Sequence, residues 1–238
     1  MNAIQLFQAG KLAEAVQALS AELRDNPTDA TRRIFLFELL CFTGDYDRAQ
    51  KQLGVLAQGG PSSEMGTLLY RGALEAERTR QEMFAKAEYP PPPASDQPPV
   101  SGRLNGTPFE SLQDGDPRLG AKLEVFAAGR YLWVSLEHVA SIRMAPPRRL
   151  RDLLWIPAVV HTGPAFQGRE LGEVLLPALS PLTWRHSDDA VRLGRSTVWQ
   201  EEGGEVVPLG QKMLLVDGEE FPLLELRDLE INPQEGTS

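Results

Sequence analysis

Residues 29–43, DATRRIFLFELLCFT, constrain the fold more than any other stretch, because they combine helical length with almost no polar face. Ile34, Phe35, Leu36, Phe37, Leu39, Leu40, Cys41 and Phe42 leave no stripe wide enough to face water, so a helix here must be covered on most sides. The flanks supply the cover, because the chain repeats itself. Gly10-Lys11-Leu12-Ala13-Glu14-Ala15 is echoed by Gly44-Asp45-Tyr46-Asp47-Arg48-Ala49, while Leu6 answers to Leu40, Leu19 to Leu53 and Pro27 to Pro61, each pair 34 residues apart.

Helical pairs that turn at a glycine every 34 residues resemble the tetratricopeptide repeat, in a divergent form. The pattern predicts short helices over 3–9 and 12–24, the central apolar helix, and a fourth that stops at Gly59-Gly60-Pro61. A fifth, from Glu64 to about Glu88, has no turn where the repeat would place one and reads as an end cap with a polar outer face. Tyr89 is followed by Pro90-Pro91-Pro92-Pro93 and later Pro98-Pro99, a stretch that favours extended polyproline geometry. The expected organisation is therefore a helical domain over 1–89, a linker over 90–106 and a second domain over 107–238.

In the second domain the periodicity shortens. Leu123–Phe126 and Tyr131–Val134, separated by Ala127-Ala128-Gly129-Arg130, read as a hairpin, as do Met213–Val216 and Phe221–Leu226 around Asp217-Gly218. Trp155–Val160, Leu171–Leu176, Val191–Leu193, Thr197–Trp199 and Glu205–Val207 are further strand candidates. Val139–Met144 reads as a short helix, and Arg148–Leu154 as one or two helical turns. The fold class is α+β: a TPR-like all-helical domain followed by a β-rich one, with a small barrel as one way of closing its sheet.

Charge and composition exclude several functions. The net charge is −9, and the last 38 residues carry 10 acidic and 2 basic side chains, which argues against a nucleic-acid binder. No apolar run reaches the length of a membrane span, and the first residues lack the basic and apolar segments of a signal peptide, so a cytoplasmic protein is expected. A lone cysteine, Cys41, excludes an intramolecular disulfide and fits a small core residue. His138, His161 and His186 lie far apart without metal-ligand spacing, and neither a nucleophile elbow nor a phosphate-binding glycine loop is present. No cofactor is expected. The alternative is an enzyme that gathers Asp114, Asp116, Arg151 and Asp152 around a divalent ion.

Several segments together carry a family resemblance. Arg33–Leu40 with Gly44–Ala49, then Asp114-Gly115-Asp116-Pro117-Arg118-Leu119-Gly120, Gly129–Val134, Arg151–Ala158 and Arg192–Trp199 resemble, in order, the ImpE/TagJ (SciE-type) family. The proline-rich 90–100 and Leu179-Ser180-Pro181 depart from its pattern. The resemblance implies a non-enzymatic accessory protein of the bacterial type VI secretion system. It also implies a partner, the N-terminal helix of the small sheath subunit (TssB/VipA-like), with the ClpV-type ATPase as a second. A TPR-like layer presents a groove suited to such a helix, and Arg32, Arg33, Leu36 and Glu38 are the expected contacts. A general peptide-binding chaperone is the further alternative.

Overall fold

The structure, a computed structural model, describes residues 1–89, 99–163, 166 and 170–232. Five helices come first: α1 (Ala3–Gln8), α2 (Leu12–Asp25), α3 (Ala30–Phe42), α4 (Tyr46–Leu56) and α5 (Pro61–Ala85). Their starts have local causes. Asn2 and Gln5 cap each other's backbone at α1, and the Asp29 and Asp45 carboxylates accept the Arg32 and Arg48 amides at α3 and α4. Gly10 and Gly44 stand after the first helix of each pair at φ +76° and +72°. At Gly44 space adds to backbone strain, because a Cβ there would lie 2.5 Å from the Trp184 ring. Leu6, Leu40 and Leu74 are all buried, so the 34-residue register continues into α5 although no turn interrupts it.

The second half contains thirteen strands among the described residues. In chain order they are β1 (Gly102–Leu104), β2 (Thr107–Phe109), β3 (Leu112–Asp114), β4 (Lys122–Ala127), β5 (Arg130–Ser135), β6 (Val139–Met144), β7 (Trp155–Thr162), β8 (Gly172–Pro177), β9 (Thr197–Glu202), β10 (Glu205–Gly210), β11 (Met213–Val216), β12 (Glu219–Pro222) and β13 (Asp228–Ile231). Eight form one antiparallel sheet in the order β2-β1-β13-β6-β7-β8-β4-β5. Its ends, β2 and β5, do not pair with each other, so it is an open sheet and no barrel. A β9–β10 hairpin and the small sheet β12-β11-β3 complete the half. The Asp217-Gly218 turn takes positive φ at both residues, the geometry that closes a two-residue hairpin between β11 and β12.

Four expectations change. Val139–Met144 is a strand, because the register shift between Val139 and Ser141 puts Val139, Ile142 and Met144 on the buried side without simple alternation. Val191–Leu193 belongs to the end of a helical turn, α6 (Asp189–Arg192), capped by Asp188. The strand expected over 221–226 stops at Pro222 and continues as a 3-10 turn over Leu223–Glu225. Residues 102–104, inside the stretch read as linker, are β1 and pair with both β2 and β13; residues 90–98 lie outside the described residues.

The two halves share one core. Leu36, Phe37, Leu39, Leu40 and Phe42 of α3 belong to the same buried apolar cluster as Phe126, Leu154, Trp155 and Leu175 from the sheet half. Phe37 and Trp155 stand 6.3 Å apart, ring centre to ring centre. A buried ionic hub reinforces the junction: Arg80 of α5 grips both carboxylate oxygens of Glu124 on β4, at 2.7 and 2.9 Å, and donates to the Leu179 carbonyl. Lys212 also bonds Glu124, at Oε2, and pairs with Asp114 at 2.7 Å. Burial alone would push the Glu124 carboxyl up, but Arg80 and Lys212 outweigh it and hold the group well below the usual carboxylate range.

A candidate docking groove beside the first and third helices

The apolar helix has two different ends. From Leu36 onward α3 is sealed: Leu36 is 4% and Phe37 1% exposed. Glu38 is 6% exposed and faces Arg151, whose Nε lies 3.7 Å away and whose guanidinium stacks on Tyr70 at 4.5 Å. Burial pushes the Glu38 carboxyl up to about 7, with Arg151 pulling the other way. Leu36 and Glu38 therefore drop out as surface contacts, because the chain's own sheet half already occupies them. The sequence alone did not reveal this, since Trp155 and Arg151 lie more than 110 residues further on.

The N-terminal part of α3, through Phe35, is open on one side. Phe35, half-buried, packs edge-to-face on Phe7 of α1 at 5.6 Å, and the two rings line a groove of about 640 Å³ together with Ile4, Leu19 and Leu150. Leu19 is buried and forms the floor; Ile4 is 57% exposed. Glu22, Asp29 and Arg32 rim the groove. Arg32 donates to Glu22 at 3.2 Å and also pairs with Asp29, while Glu22 accepts the Ala3 amide at 3.2 Å. This links the starts of α1 and α3 through α2. Backbone and side-chain bonds from Arg32 hold the Asp29 carboxyl below its ordinary value, though burial opposes them. Arg33 points to other work, bonding Gln52 of α4 at 2.7 Å and the Pro27 carbonyl.

The groove is composite. Leu150 comes from a 3-10 turn of the sheet half, Leu150–Leu153, whose Asp152 carboxylate accepts the Arg148 and Arg149 amides. Arg195 donates to the Phe7 and Gln8 carbonyls and stacks on Phe7 at 5.1 Å, and Asp189 accepts the Leu12 amide at 2.7 Å. The turn between α1 and α2 is thus held from the far end of the chain. Of the four expected contacts only Arg32 reaches the groove. Ile4, Phe7, Phe35 and Leu150 were missed, and the signal available for the first two was the apolar spacing of a six-residue helix too short to rank.

The residues of the enzyme alternative do not converge. Asp114 pairs with Lys212; Asp116 with Arg118, at 2.6 Å; Asp152 caps its own turn; and Arg151 meets Glu38. Among the described residues no group of three or more His, Cys, Asp or Glu could hold a metal ion. No helix there is long and apolar enough to cross a membrane.

With an N-terminal helical-repeat layer fused to an open antiparallel sheet, the chain belongs to the ImpE family, whose model matches residues 106–230; a tetratricopeptide-repeat model matches residues 6–70. One relative is the type VI secretion system accessory component TagJ of Pseudomonas aeruginosa, 36% identical across 98% of this chain and 92% of that protein. A crystal structure of a Vibrio parahaemolyticus protein has the same fold, with a TM-score of 0.84 over 98% of both chains at 23% identity.

Proposed function

We propose that this chain is a non-enzymatic accessory protein of a type VI secretion system, and that its α1–α3 groove takes the N-terminal amphipathic helix of the small sheath subunit. The observation that carries this reading is the groove itself: an open apolar trough built from α1, α2 and the N-terminal part of α3, with Leu150 of the sheet half, and lined by the half-buried rings of Phe7 and Phe35. An amphipathic helix seats three or four anchors at helical spacing in such a trough. The rim adds direction, because two carboxylates, Glu22 and Asp29, face a single cation, Arg32, and a basic residue beside the apolar face of the incoming helix would balance them. The family resemblance and the Pseudomonas relative's name support the secretion context. Binding would link this protein to sheath assembly or to disassembly by the ClpV-type ATPase.

The test is titration calorimetry with the full chain, since the two halves share one core, against a peptide of the sheath subunit's N-terminal helix. Saturable binding that Ile4→Asp weakens by about tenfold or more, or about 1.4 kcal/mol, is expected. Equal affinity in the variant removes the groove from the account, and no binding removes the partner.

A further inference from the structure

A small cavity lies where α3, α4 and α5 meet the start of β7 and the 179–184 segment. Its walls include Tyr46, Glu77, Arg80, Ser180 and Trp155, and it offers about 20 Å³ of room for the centre of a water-sized molecule. Roughly 10–15 Å³ on this measure suffices for one water. The polar groups around it leave at least three hydrogen-bonding positions open. Ser180 is 1% exposed, and its Oγ has no partner among the described residues although its backbone groups are bonded to Gly210 and Thr183. Arg80 has five N–H bonds, of which Nε–H goes to Glu124, two from Nη2 go to Glu124 and Leu179, and one from Nη1 goes to Glu77 at 3.3 Å. One Nη1 hydrogen remains. Glu77 Oε1 accepts from Arg80 and Gln81, whereas Oε2 accepts only the Trp155 indole N–H at 2.9 Å and keeps a lone pair.

From these open positions around one cavity we infer that the junction of the two halves holds a single internal water. It accepts from Arg80, donates to Glu77 and bonds the Ser180 hydroxyl. A lone buried hydroxyl beside a spare guanidinium hydrogen and a spare carboxylate lone pair is a costly arrangement unless one small molecule that both donates and accepts satisfies all three. The volume excludes larger polar solutes. The water would act as a further connector between α5 and the 179–184 segment, beside the Arg80–Leu179, Gln81–Leu182 and Gln81–Trp184 bonds. This site is independent of the docking groove.

A crystal structure of the full chain resolved finely enough to show ordered water tests it directly. The expected result is one density peak within about 3.2 Å of Ser180 Oγ and of Arg80 Nη1 or Glu77 Oε2. No density in the cavity, or density that touches neither Arg80 nor Glu77, overturns the inference. In solution, water-oxygen relaxation dispersion counts long-lived internal waters. Ser180→Val should lose one relative to the parent chain, while Ser180→Ala, which leaves Arg80 and Glu77 in place, should keep it. Equal counts in the parent and Ser180→Val overturn the inference, and if Ser180→Val fails to fold, loss of the water in Ser180→Ala does so.

Discussion

Phe35 and Phe37 sit two residues apart on one helix and face different worlds. Phe37 is 1% exposed, wedged between Trp155 of the sheet half and Tyr70 of α5. Phe35 lies roughly half a turn round the helix, on Phe7, at the wall of an open groove. The same side-chain chemistry thus serves stability in one place and a candidate recognition surface in the other. What separates them is the reach of the sheet half, which packs on α3 from Leu36 onward and meets the groove beside Phe35 at Leu150. A TPR-like layer ordinarily offers one face to a partner; here the chain's own sheet half packs against α3 from Leu36 onward.

The contrast breaks hardest at the sealed end. Glu124→Ala leaves Arg80 and Lys212 buried without their shared carboxylate, and about 3–5 kcal/mol should be lost by chemical denaturation. Phe37→Ala opens a cavity in the shared core, with an expected cost of about 3–5 kcal/mol. Because the core spans both halves, the parent chain should unfold in a single transition, with helical and tryptophan signals coincident. Two separated transitions would contradict the shared core.

Glu38 offers a smaller effect with a distinctive pH signature. Its folded value, about 7, lies above the ordinary carboxyl value of 4.5, so the folded state holds more protons between those limits and stability falls as pH rises through that window. Glu38→Gln should therefore be more stable than the parent at pH 8, by about 1–3 kcal/mol. The gain should vanish near pH 4.5. A pH-independent difference would mean that Arg151 cancels the effect of burial on this carboxylate.

The open end should give the smallest stability changes and the clearest binding changes. Phe35→Ala should cost about 1 kcal/mol in unfolding, yet weaken the sheath-helix peptide by about tenfold. Reversing that pattern, with large destabilisation and intact binding, would make Phe35 a core residue like its neighbour.

Much of this was legible before any coordinates. The glycines at 10 and 44 and the leucines at 6 and 40 write the helical register directly, because tight turns are local chemistry. The Asp217-Gly218 hairpin was equally plain. The apolar run 34–42 announced that α3 needed a cover, but not what the cover was. Trp155, Leu154 and Arg151 meet α3 through tertiary packing, and no periodicity in either segment encodes the other. For the same reason Leu36 and Glu38 looked available and are not, and Val139–Met144 looked helical because a bulge broke its alternation.

Hydrogen exchange of the full chain, with and without the sheath-helix peptide, addresses the division of α3 most directly. Protection should rise at 1–8 and 29–35, which carry the groove walls, and stay unchanged at 36–42, already slow, and at 65–72, on the exposed stripe of α5. Protection gained at 65–72 with none at 1–8 would contradict the account, placing the partner on the other side of the helical layer.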